Sequence, residues 1–500
     1  MEISFENESI SCLDQVVSQV QKLEETQEIR LKEDMPDIGR ILAAWGQPVL
    51  RGKEWNTGKI GVSYGVIVRI LYAAEGSDEI RCVEDWIPFQ MKCDFSDSGK
   101  EGNIRADCIL RSVDARLISS RKMIIRALMD ISCEAVVRNE LKISIPGEIP
   151  DELQLLKKKM DVMIRREAGE KVFVIDETIT PPASHPQLKE IVRYQLQTEV
   201  IDRKVVSDKL VFRGSCVIHL AYIADDGQLH MFDIDVPFSQ YTELEDVYSD
   251  GADAVLSVAV TNIDLKIDET GMIRLNAGFA GQYIIQEAVS LQFAVDAYSI
   301  CGTADPTMES LSVTEITELC SRSIKIGADS EIDCRRIADA SMYYGYPSQE
   351  ITAGRNCFSV EGIVQILYYD SDGQLQSHTD QAKGQVLLDL DVGQNCKAYI
   401  RQSGKLQSSI SSNGVEIAGG MDIIVMSETR TGLEMISDIK LDATGDTNSM
   451  GPSLILRKSN GENLWTIAKN TGSTVERICQ INALNGEPEP TQMLMIPIAQ

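Results

Sequence analysis

The chain has 500 residues, of which 43% are apolar, and it carries a net charge of -28 with a pI near 4.6. This length and composition predict three or four domains with apolar cores and exclude wholesale disorder. The acidic charge argues against nucleic-acid binding and against docking on anionic lipid, since both require a basic surface.

The N-terminal stretch MEISFENESISCLDQVV lacks a basic segment followed by an apolar run, so we expect no secretory signal. No stretch approaches 18 consecutive apolar residues, and we therefore expect no membrane insertion. The twelve cysteines are spaced singly without a CxxC pair, which predicts reduced thiols and a cytoplasmic protein. Only four histidines are present, and we expect neither a metal site nor a cofactor.

Three stretches of the chain align at nearly constant offsets: GVIVRILYAAEGSDEI, SCVIHLAYIADDGQLH and GIVQILYYDSDGQL. Their tyrosines, Tyr72, Tyr222 and Tyr368, are 150 and then 146 residues apart. The first offset recurs between PDIGRIL and PQLKEIV, which begin at Pro36 and Pro186. Constant offsets at separate landmarks predict a triplicated unit. We expect the repeated tyrosines to fill cores rather than to contact a ligand.

Each copy is rich in strand patterns. LVFRGSCVIHLAYIADDGQLHMFDIDVPFSQY contains two runs of Val, Ile, Phe and Tyr around ADDG, which predicts a hairpin. The period is close to two, so one face of each strand should be buried. We therefore expect a mainly β chain with three tandem, sandwich-like domains. Within it, PQLKEIVRYQ is expected to form a short helix that begins at its proline, and residues 403–414 are expected to form a loop.

We expect no enzyme, because the sequence contains no nucleotide-binding loop, HExxH or GxSxG motif. No histidine has a Cys, Ser or carboxylate partner at a spacing that recurs in the other copies. The 76 acidic residues offer many carboxylate pairs, so a two-carboxylate hydrolase stays open as an alternative.

The last 50 residues differ from the rest in pattern and charge. Residues 451–500 contain four basic and four acidic side chains, so the whole net charge lies in residues 1–450. SLILRK and QMLMIPI predict strands, and the apolar spacing between them is helical. Asn463 should cap the first helix, Gly472 should end it, and Thr474 should cap the second. The predicted order is strand, helix, helix, strand, in a small α+β (βααβ) module.

This module resembles a LysM domain, on the stretches GENLWTIA from residue 461, IN from residue 481 and PTQMLMIP from residue 490. The resemblance implies binding of peptidoglycan or another N-acetylglucosamine polymer in a groove between two loops. The groove residues that it implies are Gly461, Glu462, Asn463, Leu464, Trp465, Asn482, Ala483 and Leu484. Trp465 fits either a core position or a ligand platform. Thr491 replaces the family's glycine and would be strained if its position needs a positive φ.

The repeats also resemble a known unit. LVFRGSCVIHLAYIADDGQLHMFDIDVPFSQYTEL is similar to the SPOCS domain of clostridial sporulation proteins, and PDIGRIL and PQLKEIV fit the motif that begins it. Three such domains before one LysM module resemble the clostridial spore-coat morphogenesis proteins of the SipL type. That resemblance implies a non-enzymatic coat protein, made in the mother-cell cytoplasm and gathered at the forespore surface. It also implies binding to the morphogenetic ATPase of the coat's basement layer.

Five regions are therefore expected: SPOCS-like domains at 1–150, 151–302 and 303–441, a flexible linker at 442–453, and a LysM domain at 454–500. The linker is polar and aperiodic, so we expect the module to move freely. The expected function is that of an adaptor whose module binds a protein. The alternative is a cell-wall protein whose module binds peptidoglycan, and a wall hydrolase is a third possibility.

Overall fold

The structure is a computed structural model and describes residues 2–3, 5–77, 79–96, 99, 101–352, 354–388, 396–411, 414–442 and 453–498. Nearly all of the predicted linker lies outside the described residues. Strands in several sheets make up most of the described chain, and its two helices lie near the C-terminus, so the mainly β prediction is confirmed.

Three segments of the chain contain most of the strands, and each segment begins and ends with a long one. The strands up to the end of the first segment are β1 Glu2–Ile3, β2 Phe5–Arg30, β3 Ile38–Asn56, β4 Lys59–Ala74, β5 Ile80–Asp94, β6 Gly102–Ser119 and β7 Lys122–Pro146. Those of the second segment are β8 Leu153–Ile179, β9 Leu188–Val206, β10 Lys209–Ala224, β11 Leu229–Glu243, β12 Asp253–Ile267 and β13 Ile273–Ser299. Those of the third segment are β14 Thr303–Ser330, β15 Arg336–Tyr344, β16 Ser348–Thr352, β17 Arg355–Tyr369, β18 Leu375–Leu388, β19 Cys396–Ser411 and β20 Gly414–Asp442. We call residues 2–442 the body.

The strands pair in the same antiparallel order in the three segments. In each segment the long first strand pairs with the long last strand, and the last strand also pairs with the strand that precedes it in the chain. The resulting orders are β2-β7-β6, β8-β13-β12 and β14-β20-β19. The intervening strands form a second layer, β3-β4-β5, β9-β10-β11 and β15-β17-β18. In the third segment a single residue pair, Gly327 with Lys383, joins the two layers. The short β1 pairs with β20, so the start of the chain lies on the third segment.

The aligned tyrosines occupy the same place in each segment. The cross-strand pairs are Ile41 with Tyr72, Ile191 with Tyr222, and Ile337 with Tyr368. Tyr72 and Tyr222 are fully buried, and their hydroxyls donate to the carbonyls of Pro36 and Pro186, at 3.1 Å in both cases. A buried hydroxyl needs such an acceptor. These tyrosines therefore anchor the start of β3 and β9 and contact no open site.

Two local expectations are wrong. The helix expected in PQLKEIVRYQ is strand β9, in which Tyr194 and Leu196 are buried two residues apart, as alternation in a strand requires. Val192 has no partner in the register with β10 and is therefore a β-bulge. The bulge interrupts the alternation of buried and exposed residues, so the local spacing of apolar residues resembles that of a helix. The loop expected at residues 403–414 is mostly strand β19, which pairs with β20 up to Ser411.

A bulge at the corresponding position of each segment brings the three segments together. Leu42, Val192 and Ala338 are each skipped in the strand register of their own segment. A bulge changes the direction of its side chain, and these three are at most 4% exposed within one apolar cluster. The cluster also contains Ala43, Trp45, Leu71, Ala221, Ile223, Leu229, Leu367 and Leu375. The segments thus share a core, and burial of each large side chain there contributes about 1.5–3 kcal/mol.

Candidate functional site

The C-terminal module, residues 453–498, contains the groove residues that the sequence nominates. Its elements are β21 Leu454–Lys458, α1 Leu464–Thr471, α2 Val475–Asn482 and β22 Met493–Pro497. The side chain of Asn463 accepts the Thr466 N–H at 2.8 Å, and that of Thr474 accepts the Arg477 N–H at 3.2 Å. These two caps satisfy helix donors that have no partner within their own helices.

The two loops of the nominated groove are held together by the chain's own groups. Leu464 is buried in the module core, and its N–H donates to Glu487 at 2.7 Å, which joins the first loop to the second. Glu462 forms an ion pair with Arg457. The Leu464 N–H and the Glu462 carboxylate are therefore both engaged within the module.

Asn482 is also occupied. Its amide nitrogen donates to the carbonyls of Ile478 at 2.8 Å and Met495 at 2.6 Å, and its oxygen accepts the Met495 N–H at 2.7 Å. Leu484 is half-buried, and its N–H donates to Cys479 O at 3.0 Å. Asn482 thus joins α2 to β22, and Leu484 joins the loop that follows α2 to that helix.

Three residues near the groove have positive φ. Gly461 has φ 85°, a conformation that glycine adopts without strain, and Ala483 has φ 50° as the C-cap of α2. Thr491 has φ 80°, so the position does require the positive φ that glycine would supply. A β-branched residue in this conformation is strained by about 1–2 kcal/mol.

The module contacts the end of strand β13 in the body. The Trp465 ring packs edge-on against Tyr298 with a centroid distance of 4.9 Å, and Trp465 Nε1 donates to Asp296 Oδ2 at 2.8 Å. Lys469 Nζ lies 2.7 Å from the other oxygen of Asp296. The Tyr298 hydroxyl donates to Ser473 O at 2.8 Å. This docked arrangement differs from the freely moving module that the polar linker suggests.

Burial and hydrogen bonding set the protonation of the docking groups. Partial burial of the Asp296 carboxylate opposes its ionisation, but the bonds from Lys469 and Trp465 outweigh this and lower its pKa. Burial raises the pKa of Tyr298 to about 12, so its hydroxyl stays a donor at neutral pH. Trp465 thereby joins the module to the body, a role that sequence reasoning missed. Neither Asp296 nor Tyr298 belongs to a pattern that marks it as a contact.

A second polar cluster lies between the second and third segments. Arg193 forms a buried ion pair with Asp339, and His219 Nε2 lies 3.7 Å from that carboxylate. A cavity of about 210 Å³ adjoins them. Burial opposes the ionisation of Asp233, but its bond with His219 prevails and lowers its pKa. The Ser341 hydroxyl beside the cavity has no hydrogen-bond partner among the described residues.

This cluster is not repeated in the other segments. At the offsets of 150 and 146 residues, the positions that correspond to His219 carry Arg69 and Gln365. A buried pair such as Arg193 with Asp339 is a costly arrangement that holds its two elements in one geometry. The cluster therefore ties the second segment to the third.

The described residues contain no group of three His, Cys, Asp or Glu side chains arranged to hold a metal ion. Within the same part of the chain, no helix has the length and apolar character needed to cross a membrane. None of the twelve cysteines, all of which lie among the described residues, forms a disulfide, and five of them, Cys12, Cys93, Cys133, Cys216 and Cys357, are buried.

Comparison with known proteins gives a match in the second segment. No curated protein and no solved structure matches the chain. Residues 187–268, which span β9 to β12, match the family model described as SipL, SPOCS domain. This is the segment in which the sequence shows the resemblance most fully, and the match links the chain to sporulation and the spore coat. Residues 187–268 are thus similar to the SPOCS domain of the SipL family.

Proposed function

We propose that this protein is a non-enzymatic adaptor of spore-coat morphogenesis. In this proposal the module binds the morphogenetic ATPase of the coat's basement layer, and the body helps to localise the coat around the forespore. The protein acts from the mother-cell cytoplasm. The observation that carries the proposal is the SPOCS-domain match at residues 187–268.

The architecture of the described chain supports the proposal that the protein is an adaptor. The shared strand order and the matching tyrosine pairs favour three copies of the SPOCS-like unit, of which the family model matches the second. The strand, helix, helix, strand order at the C-terminus favours a LysM-like module. A body with three related units and one docking head suits a scaffold, because several weak contacts on one chain gain avidity.

A protein partner fits the module better than a glycan does. Trp465 packs on the body, while Asn482 and Glu462 are engaged within the module. A sugar in the groove would have to compete with these bonds or leave its own hydroxyls unpaired, and either is costly. Binding of peptidoglycan through Gly461–Leu464 and Asn482–Leu484 remains the alternative that the experiment must exclude.

The test measures both partners with the purified full-length chain. Binding to the immobilised ATPase is followed by biolayer interferometry, and retention on intact peptidoglycan sacculi is followed by co-sedimentation. We expect saturable binding to the ATPase and no retention on sacculi above an unrelated acidic protein. Retention on sacculi together with no binding to the ATPase would contradict the proposal and favour the cell-wall alternative.

A further inference from the structure

One face of the module's two-stranded sheet is apolar and exposed. Leu456 is directly paired with Met495, and Lys458 with Met493, so these side chains share a face with Leu454. The four apolar side chains on this face are between 38% and 66% exposed, with Leu456 the most exposed. They are Leu454, Leu456, Met493 and Met495. The opposite face of the same sheet is packed in the module core. A contiguous apolar patch on such a small unit is typical of an interaction site.

The strand β21 also has an open edge. At the two ends of its ladder with β22, Ile498 N–H donates to Ser453 O at 3.1 Å, and Ser459 N–H donates to Gln492 O at 2.8 Å. Alternate residues of an antiparallel strand face the partner strand. Odd-numbered residues of β21 therefore bond β22, and the even-numbered ones, with Leu456 at the centre, direct their N–H and C=O groups away from the sheet.

The other edge of the sheet is already covered. The side chain of Asn482 donates to Met495 O and accepts Met495 N–H, so it takes the place of a neighbouring strand along β22. Among the described residues no strand pairs with the outer edge of β21. An unpaired edge beside an apolar face is the arrangement to which extended peptides add.

The side chains beside this edge favour a protein segment over a sugar as the ligand. Leu454, Leu456, Met493 and Met495 offer neither hydrogen-bonding side chains nor aromatic rings, so they cannot compensate the desolvation of sugar hydroxyls. Aliphatic and methionine side chains suit apolar protein side chains. The module is neutral, whereas residues 1–450, which include the body, carry the whole charge of -28. Basic residues beside the bound segment would therefore be attracted to the body.

We infer that β21 is the docking edge for an extended apolar segment of the protein partner, flanked by Lys or Arg residues. The segment adds as a strand along Leu454–Lys458 and packs its apolar side chains on Leu456 and Met495. This inference rests on the proposed function, because it names the surface through which the module takes that partner. It assigns recognition to the sheet and not to the loops of the nominated groove.

The decisive variant is Leu456→Pro in the full-length chain. Proline removes the outward N–H of residue 456 but no bond to β22, and proline is tolerated on a strand edge that faces solvent. We expect binding to the immobilised ATPase to weaken about tenfold or more, because a strand-to-strand bond and an apolar contact are lost together. Ile201→Lys, at another exposed apolar strand position, is the matched control and should bind as the wild type does.

A second variant keeps the test decisive if Leu456→Pro disturbs the fold, which the near-ultraviolet circular dichroism of Trp465 and Tyr298 would reveal. Leu456→Lys retains the backbone groups and removes only the apolar contact, and it too should weaken binding. Normal binding by a correctly folded Leu456 variant, with the wild type also binding, would overturn the inference and leave the adaptor function standing. Failure of the wild type to bind would refute the proposed function itself. Affinity that is unchanged between low and high salt would refute the basic flanks.

Discussion

The contact between the module and the body yields a prediction that can be worked from the structure. The change is Asp296→Ala, which removes the acceptor of Trp465 Nε1–H and of Lys469 Nζ. A hydrogen bond to a charged group contributes about 1.5–3 kcal/mol. The Lys469 ion pair adds only about 0–1 kcal/mol, because its side chains are 42% and 32% exposed and solvent screens them. We expect the docked state to lose about 2 kcal/mol, or roughly 30-fold in its equilibrium constant.

The assay is hydrogen exchange of helix α1, read together with the tryptophan emission maximum of the chain, to which Trp465 contributes beside Trp45, Trp55 and Trp86. In the Asp296→Ala variant the exchange of α1 should accelerate and the tryptophan emission should shift to the red, while the sheets of the body stay protected. Asp264→Ala, which removes an exposed carboxylate paired with Lys266, is the control and should change neither signal. Unchanged protection of α1 in the Asp296→Ala variant would refute the docking contact.

The pH dependence of the same contact has a defined sign. The pKa of Asp296 is lowered in the folded protein, so its contribution is present above the ordinary pKa of about 3.9 and is lost as the pH falls through the lower folded value. The module should therefore stay docked at neutral pH and loosen only in acid. Asp296→Asn keeps an acceptor but carries no charge, and its docking should not vary with pH over that range.

Three further predictions concern particular residues. Asp339→Ala should lower the free energy of unfolding of the body by about 3–5 kcal/mol in urea titrations, because it leaves Arg193 buried without its partner; a loss near zero would show the pair to be solvated. Thr491→Gly should stabilise the module by about 1 kcal/mol by relieving the strain at φ 80°, measured as slower hydrogen exchange of α2, and faster exchange would contradict the strain argument. Tyr222→Phe should cost about 1 kcal/mol through the lost bond to Pro186 O, whereas Tyr241→Phe at an exposed site should cost nothing measurable; equal effects would argue against the anchoring role.

The mainly β character of the fold could be predicted because alternation of apolar and polar residues reports burial on one face of a strand. The pairs made by Tyr72, Tyr222 and Tyr368 fall on the landmarks that the sequence offsets identify. The strand β9 was missed because the bulge at Val192 interrupts the alternation, and a bulge is fixed by pairing with β10. Local spacing cannot distinguish a bulged strand from one turn of helix.

The candidate site was only partly predictable for a related reason. The helix caps and the positive φ of Thr491 depend on neighbouring residues, and the sequence displays these directly. The docking of Trp465 depends on Asp296, which is 169 residues away and belongs to no motif. The exposed face of β21 and β22 becomes visible only when the register shows that Leu456 and Met495 lie side by side.

The central claim is that the chain works as a docked adaptor at the forespore and not as a wall protein. The most direct measurement follows a fluorescent fusion of the full-length chain in sporulating cells, with and without the coat ATPase. The account predicts a fluorescent shell around the forespore that disperses into the mother-cell cytoplasm when the ATPase is absent. A shell that persists without the ATPase, or fluorescence on the cell wall, would contradict it.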